Sequence, residues 1–414
     1  MTSTGTLQPA PQGGTYRPSA AMRMFLKLGD ALQEGTLIVR LPDGAEHRFV
    51  SERPEPVAEI HVHDDRVAQR FFFRGTLGFH ESYLDGDWSS PDIEQVFFVG
   101  LANYQRLSEH FFGKPWFRIP NKLFHVLRRN SRRGSKKNIA YHYDLGNEFY
   151  EKWLDSSMTY SSALFPSEVP ANQVEPASLT EGQLNKYGAL ANRMGLQQGH
   201  SVLEVGCGWG GFAEFAGREI GAKVTGITIS QEQFDFASER IFNAGLNEKV
   251  DIKLIDYRDV RGSFDRIASI EMFEAVGEKY WPAFYSMLRE RLSDGGRAAL
   301  QIITIDDKDF EIYRSRVDYI QKYIFPGGML PSLSVLQRGM EKAGLAIDEV
   351  ASFGTDYAKT LRTWNTTFQR TWPEIRPMGF DDRFKRMWEQ YLLCCAAGFQ
   401  FGCIDVVQVG LRRS

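Results

Sequence analysis

Residues 202–211 read Val-Leu-Glu-Val-Gly-Cys-Gly-Trp-Gly-Gly, an apolar run that breaks into glycines and then into a helical pattern. Gly206 and Gly208 allow the chain to turn sharply and bring bare backbone against a ligand. A turn of this kind, after a buried strand and before a helix, holds the ribose or phosphate part of a nucleotide-like cofactor. Gly206, Gly208 and Gly211 also satisfy G-x-G-x-x-G, so the turn alone does not separate NAD from S-adenosylmethionine. A dinucleotide site wants an acid on the ribose at the end of the second strand, about 20 residues on. That strand is residues 223–230, and its end carries Thr228, Ser230, Gln231 and Gln233, with Glu232 the only acid. Glu204 stands two residues before the first glycine, where E/D-x-G-x-G puts its acid. The pattern favours S-adenosylmethionine.

The elements that must position this turn alternate. Helical patterns at 179–194, 231–244 and 280–292 are interleaved with strand-like runs at 202–205, 223–230, 251–255, 264–270 and 297–305. Residues 306–323 read as an inserted helix, with closing strands at 345–352 and 403–411. The order predicts an α/β, doubly wound, Rossmann-like sheet whose ligands sit at the carboxyl ends of its strands, and with Glu204 ahead of the glycines it is expected to be of the class I methyltransferase kind. Ahead of it, short alternating stretches at 35–40, 46–50 and 58–62 predict a smaller α+β domain with turns at Pro42-Asp43-Gly44 and Asp64-Asp65. The expected domains are a disordered tail over 1–21, an N-terminal domain over 22–110, a basic aromatic linker over 111–137 and the methyltransferase domain over 138–414.

The chain has 414 residues and a net charge of −3, but the charge is unevenly spread. Lys114, Arg118, Lys122, Arg128, Arg129, Arg132, Arg133, Lys136 and Lys137 occur without an acid between them, interleaved with Phe111, Phe112, Trp116, Phe117 and Phe124. Such a segment suits the surface of an anionic membrane; a solvated linker or an RNA-binding arm are the other readings. Four cysteines (Cys207, Cys394, Cys395, Cys403) show neither metal-ligand nor disulfide spacing, which fits a reducing cytoplasm. His61 and His63 share a strand face with no third ligand nearby, so no metal is expected. The stretch from Met1 to Met22 lacks the apolar core of a signal peptide, and no apolar run is long enough to span a bilayer.

Further motifs extend the pattern: Tyr141-His-Tyr-Asp-Leu-Gly-Asn147, Met158-Thr-Tyr-Ser161, Gly226-Ile-Thr-Ile-Ser230, Phe264-Asp-Arg-Ile267, Phe273-Glu274, Tyr323-Ile-Phe-Pro-Gly-Gly328, Leu330-Pro-Ser332, Asp356-Tyr-Ala-Lys-Thr-Leu361 and Ile404-Asp405. With the glycine turn they cover nearly all of 138–414, and here the sequence resembles the cyclopropane fatty acid synthase family. Residues 78–88 are similar to its longer bacterial members, whose N-terminal domain binds lipid. The resemblance implies transfer of a methyl group from S-adenosylmethionine to a cis double bond in a phospholipid acyl chain. It implies a peripheral enzyme at the inner face of the membrane, disfavours nucleic acid, and leaves a homodimer open. An alkene is a poor nucleophile, so methyl and π-bond must be held in line in a dry slot. Aromatic faces can stabilise the resulting cation; Tyr280, Trp281, Phe284, Tyr319, Tyr323 and Phe325 are candidates, each with a competing role in the core.

The family removes the final proton with a bound bicarbonate ion. Its holders fall here on Ser162, Glu274, Gln301, Ile303 (backbone) and Tyr357. Typical synthases carry Cys where this chain has Ser162, His where it has Gln301, and a further His where it has Ala275. An amide can donate to an anion but cannot carry charge or relay a proton. Ring closure to a cyclopropane requires proton loss from the new methyl group. Loss from a neighbouring chain CH₂ instead gives a methyl-branched alkene, a precursor of methylated or furan fatty acids, and the amide favours this outcome. Cofactor positions fall on Tyr160, Ser161, Glu204, Gly206, Cys207, Gly208, Thr228, Ile229 and Gln233, with Asp256, Tyr257 and Arg258 where adenine would lie. Glu271, which makes a carboxylate pair with Glu274, reads as a cofactor-side or structural group. Cys395 falls on a cysteine once taken as nucleophilic. The alternatives are methylation of a quinone or another small hydrophobic acceptor, and a non-catalytic lipid binder.

Overall fold

The computed structural model describes residues 16–107, 145–166 and 176–414. The chain divides into two units, residues 1–117 and 118–414. The basic aromatic segment 111–137 and the first residues of the Tyr141–Asn147 motif lie outside the described residues.

In the first unit the expected strands form as β1 (Glu34–Arg40), β2 (Glu46–Val50) and β3 (Arg53–Val62), joined by β4 (Trp88–Ser89) in the order β2-β1-β3-β4. β2 folds back antiparallel on β1 through the Pro42–Gly44 turn, and β3 runs parallel to β1. Helix Arg66–Leu84 breaks at Gly75, whose φ of 61° and ψ of −146° leave the helical region. Beyond the break Phe79 stacks on Trp88 at 4.5 Å, and the indole N–H donates to Ser82 Oγ at 3.0 Å. Residues 16–21, assigned to the tail in the sequence reading, are among the described residues. Ser19 caps helix Ala20–Leu26 by accepting from Met22 N, and its own N–H donates to Asp65 Oδ2 at 2.7 Å. His61 lies against Glu59 and His63 against Ser89. No group of side chains suited to a metal occurs among the described residues.

The second unit is built on a seven-stranded sheet. Its strands are β5 (Ser201–Val205), β6 (Lys223–Thr228), β7 (Val250–Leu254), β8 (Phe264–Ile270), β9 (Leu292–Ile305), β10 (Leu345–Ser352) and β11 (Ile404–Arg413). They lie in the order β10-β11-β9-β8-β5-β6-β7. The five strands from β5 to β9 are parallel, and β11 and β10 close the edge antiparallel. Alternate residues of each strand feed opposite cores, as the pleat requires. Leu203, Ile267 and Leu300 pack on one face with Phe273, Trp281 and Phe284. Val202, Ala268 and Ala299 pack on the other with Tyr187, Phe212 and Ile241. Helices therefore cover both faces, the doubly wound arrangement expected.

From β5 the chain builds outward to β7, then returns to lay β8 on the other side of β5. The direction of winding reverses between β5 and β8, and open α/β sheets take their ligands at the carboxyl end of that reversal. Two features were not anticipated from the sequence. The inserted segment forms two short helices, Phe310–Ser315 and Tyr319–Tyr323. Helices Gly354–Ile375 and Asp382–Phe401 form a long pair packed on each other before β11. Among the described residues no helix is long and apolar enough to cross a membrane.

Candidate active site

Two turns flank the reversal. After β5, Gly206 adopts φ +81° and Gly208 φ +53°, the left-handed region that glycine enters without strain. A Cβ on Gly206 would stand 2.6 Å from Met272 Cγ, whereas one on Gly208 would meet nothing within 4 Å. The loop thus packs on the β8 turn at Gly206 and has open space beside Gly208. Glu204 supports it from below: one side of its carboxylate accepts from Ala213 N, and Oε2 is buried with no partner among the described residues. Burial raises its pKa to about 8. Cys207 is buried beneath the loop, its thiol held well above the ordinary range.

At the end of β6 the Thr228 hydroxyl donates to Gln233 Oε1 at 2.9 Å, which turns the Gln233 amide NH₂ away from Thr228. Ile229 follows, and Ser230 caps the next helix. This edge is polar, with hydroxyls and amides at Thr228, Ser230 and Gln233 and Glu232 in the first helical turn its only acid. After β7, Arg258 closes on Asp256 with two contacts of 2.7 and 2.6 Å and lies 5.1 Å from the Tyr257 ring. Asp256 therefore offers a paired carboxylate, not an isolated one.

After β8 the chain makes its second turn on a residue that is not glycine. Glu271 has φ +48° and Met158 φ +52°, the two non-glycine residues of positive φ among the described residues. Placing an L-residue there costs about 1 kcal/mol. Both positions border the same place. Met158 leads into Thr159-Tyr160-Ser161-Ser162, and the Glu271 carboxylate binds that segment. Ser162 N donates to Glu271 Oε1 at 2.8 Å, Gln301 Nε2 donates to the same oxygen at 2.7 Å, and Tyr357 OH donates to Oε2 at 2.6 Å. Glu271 N in turn donates to Gln301 O. Thus Ser162, Gln301 and Tyr357, widely separated in sequence, meet on Glu271 and not on Glu274.

Glu274 lies one turn further, with Oε1 accepting from Ile303 N and Oε2 buried without a partner among the described residues. Burial and then the charge of Glu271 raise its pKa to about 8. Burial also raises Glu271, but its three donors and Lys186 oppose the rise. Glu271 thus has three donors and Lys186 against the rise, whereas Glu274 has backbone donors against it and the Glu271 charge adding to it.

A polar shell absent from the sequence reading holds this arrangement. Gln408 Nε2 donates to Gln301 Oε1 at 3.1 Å, which fixes the Gln301 amide with its NH₂ toward Glu271. The two glutamines are register partners on β9 and β11. Lys186, fully buried, donates to Ser161 Oγ at 2.6 Å, and Gln183 donates to Ser161 O at 3.0 Å. Burial lowers the Lys186 pKa to about 7 against the pull of nearby carboxylates. The signal was present in the sequence: Leu179, Gln183, Lys186 and Leu190 follow helical spacing, so two polar residues occupy the apolar face.

The aromatic wall also differs from expectation. Trp281 and Phe284 belong to the core around Phe273. Phe325, one of the six candidates, approaches Tyr160 at 6.5 Å. The wall comes from the unanticipated helix pair: Trp364 lies 5.3 Å from the Tyr160 ring and 6.1 Å from Tyr357, while the Tyr391 hydroxyl meets that of Tyr160 at 2.7 Å. Cys395 lies on the second of these helices, its thiol raised well above the ordinary range by burial. A nucleophilic role requires the thiolate, so its surroundings oppose that role.

Glu274 carries a stability prediction. Its folded pKa of about 8 exceeds the ordinary 4.5, so the protonated form favours the fold. The contribution is intact below about pH 4.5 and is lost as pH rises through about 8. At about 1.4 kcal/mol per unit it amounts to at most roughly 5 kcal/mol. Denaturation midpoints compared across pH 5–9 should show Glu274→Gln gaining on the wild type as pH rises. A difference that stays constant with pH would contradict this placement.

A glycine loop after the first parallel strand, a hydroxyl- and amide-rich second edge and a winding reversal beside the loop fit a class I S-adenosylmethionine-dependent methyltransferase. The profile described as mycolic acid cyclopropane synthetase matches residues 130–409, and the chain belongs to that family. It is 39% identical to the tuberculostearic acid methyltransferase of Mycobacterium tuberculosis over 84% of this chain and 82% of that one. It is 35% identical to the cyclopropane-fatty-acyl-phospholipid synthase of Escherichia coli over 86% and 88%. The crystal structure of mycolic acid cyclopropane synthase CmaA1 complexed with SAH and CTAB superposes with a TM-score of 0.61 at 30% identity, covering 67% of this chain and 98% of that one. The cofactor is S-adenosylmethionine.

Proposed function

We propose that the chain methylates the cis double bond of an unsaturated fatty acyl chain in phospholipid, and that the product is a methyl-branched alkene in preference to a cyclopropane. The observation that carries this reading is a carboxylate, Glu271, held by three hydrogen-bond donors beside tyrosine and tryptophan rings. Methylation of an amine or phenol oxygen needs a base for a polar N–H or O–H. Methylation of an alkene leaves a cation on an apolar chain, and aromatic faces with one fixed carboxylate answer that need.

When bound, S-adenosylmethionine supplies an electrophilic methyl group. Gly206, Cys207 and Gly208 form its loop in this reading, Thr228, Ile229 and Gln233 take the ribose side, Tyr160 and Ser161 the methionine side, and Asp256, Tyr257 and Arg258 border the adenine. Glu204 acts from beneath, by holding the start of the following helix. Tyr357, Gln301 and Ser162 N position the Glu271 carboxylate, and Ile303 N fixes Glu274. Gln301 supports the branched product because its amide, locked by Gln408, cannot relay a proton as an imidazole can. The first unit and the basic segment 111–137 serve to meet the lipid surface, and bilayer contact is confined to the surface.

The test is methyl-labelled S-adenosylmethionine with the purified chain and vesicles of unsaturated phospholipid. Label should enter the acyl chains, in a product that still takes up hydrogen under mild catalysis. A labelled lipid fully resistant to hydrogenation would be a cyclopropane. Label entering only quinones or small amines, with no need for vesicles, would establish the rival acceptor class.

A further inference from the structure

We infer that Glu271 itself takes the proton from the methylated acyl chain, so that the reaction needs no added bicarbonate. The inference rests on the acyl-alkene reading above and is carried by a donor count. Of the five positions expected to hold a bicarbonate ion, four have no donor to spare. Ser162 gives its N–H to Glu271 and its O–H to Ala163 O. Gln301 gives one amide hydrogen to Glu271 and directs the other toward Ser162 O at 3.4 Å. Tyr357 has a single O–H, given to Glu271, and Ile303 gives its N–H to Glu274. Glu274 alone keeps a hydrogen, in its neutral form. An added anion would therefore meet the charge of Glu271 with a single donor to hold it. The protein's own carboxylate already stands where the other donors converge.

The backbone agrees. Glu271 keeps a left-handed φ that its side chain disfavours, and strain of this kind persists where surrounding structure demands one placement. Two donors fill Oε1 and one binds Oε2, which leaves Oε2 one lone pair to take a proton.

The step balances. The π pair of the alkene forms the new C–CH₃ bond as the methyl's bond to sulfur breaks, its electrons remaining on a neutral thioether. The adjacent chain carbon becomes cationic. Glu271 accepts a proton from a neighbouring CH₂, and the freed C–H pair closes the new double bond. The proton passes to water when the product leaves.

The test uses the full chain with phospholipid vesicles in buffer stripped of carbon dioxide, with and without added sodium bicarbonate. The wild-type rate should stay within about twofold across the two conditions. Glu271→Gln should lose about 100-fold or more in turnover, the range of a lost general base, while S-adenosylmethionine affinity measured by calorimetry stays within about threefold. Stimulation of the wild type by about tenfold or more on adding bicarbonate would overturn the inference. So would a Glu271→Gln protein that binds cofactor and keeps more than about a tenth of the turnover. If that variant fails to bind cofactor, the wild-type bicarbonate comparison decides. No methylated lipid from the wild type in either buffer would sink the acyl-alkene reading itself, a separate outcome.

Discussion

Tyr357→Phe is expected to reduce turnover roughly 10- to 100-fold while leaving S-adenosylmethionine affinity unchanged. The variant removes one oxygen atom from a fully buried site. That oxygen donates to Glu271 Oε2 at 2.6 Å, and a hydrogen bond to a buried carboxylate is worth about 1.5–3 kcal/mol. At about 1.4 kcal/mol per decade this gives the stated loss. The phenol is always a donor, because burial and the Glu271 charge hold its pKa well above the ordinary value. Its bond lowers the Glu271 pKa, so its removal raises that value. The acid limb of the pH–rate profile should therefore move to higher pH in the variant. A purely structural role for Tyr357 would reduce the amplitude without moving the limb.

Gly206→Val is expected to weaken S-adenosylmethionine binding by roughly 100-fold. A β-branched residue at φ +81° is strained by about 1–2 kcal/mol. Its Cβ would also lie 2.6 Å from Met272 Cγ, a clash worth about 1–3 kcal/mol. The loop can relieve both only by moving away from the β8 turn, which changes the open space beside Gly208. Gly199→Val is the control: its φ is +82°, but a Cβ there meets nothing within 4 Å. That variant should lose stability and keep cofactor affinity. Equal affinity in all three proteins, measured by calorimetry, would show that the Gly206 turn does not hold the cofactor.

The parallel sheet was legible because its strands are short apolar runs between glycine-rich turns. β8 and β10 begin and end at the expected residues, 264–270 and 345–352. The βαβ alternation implied the parallel, doubly wound sheet, whereas the strand order and the reversal beside the glycine loop are seen only in the structure. The aromatic wall was not legible. Trp364 and Tyr391 lie far along the chain from Tyr160, and nothing local in helix Gly354–Ile375, broken in pattern by Pro373, announces the meeting.

Glu271 is the instructive case. The motif match drew attention to Glu274, three residues on, and both lie at the carboxyl end of the same strand. A local pattern cannot say which of two such carboxylates faces a tyrosine 86 residues away. The deciding feature is a backbone torsion at a residue type that rarely adopts it, visible only in three dimensions. The buried Lys186 and Gln183 did leave a sequence trace, as polar residues on an apolar helix face.

The most direct measurement is the isotope content of the lipid formed from S-adenosylmethionine whose transferred methyl is fully deuterated. If Glu271 removes a hydrogen from the acyl chain, the product retains all the deuterium of that methyl. A product one deuterium short would mean that the proton came from the methyl itself, which contradicts removal from the acyl chain by Glu271. Lipid carrying no deuterium would contradict the account at its root.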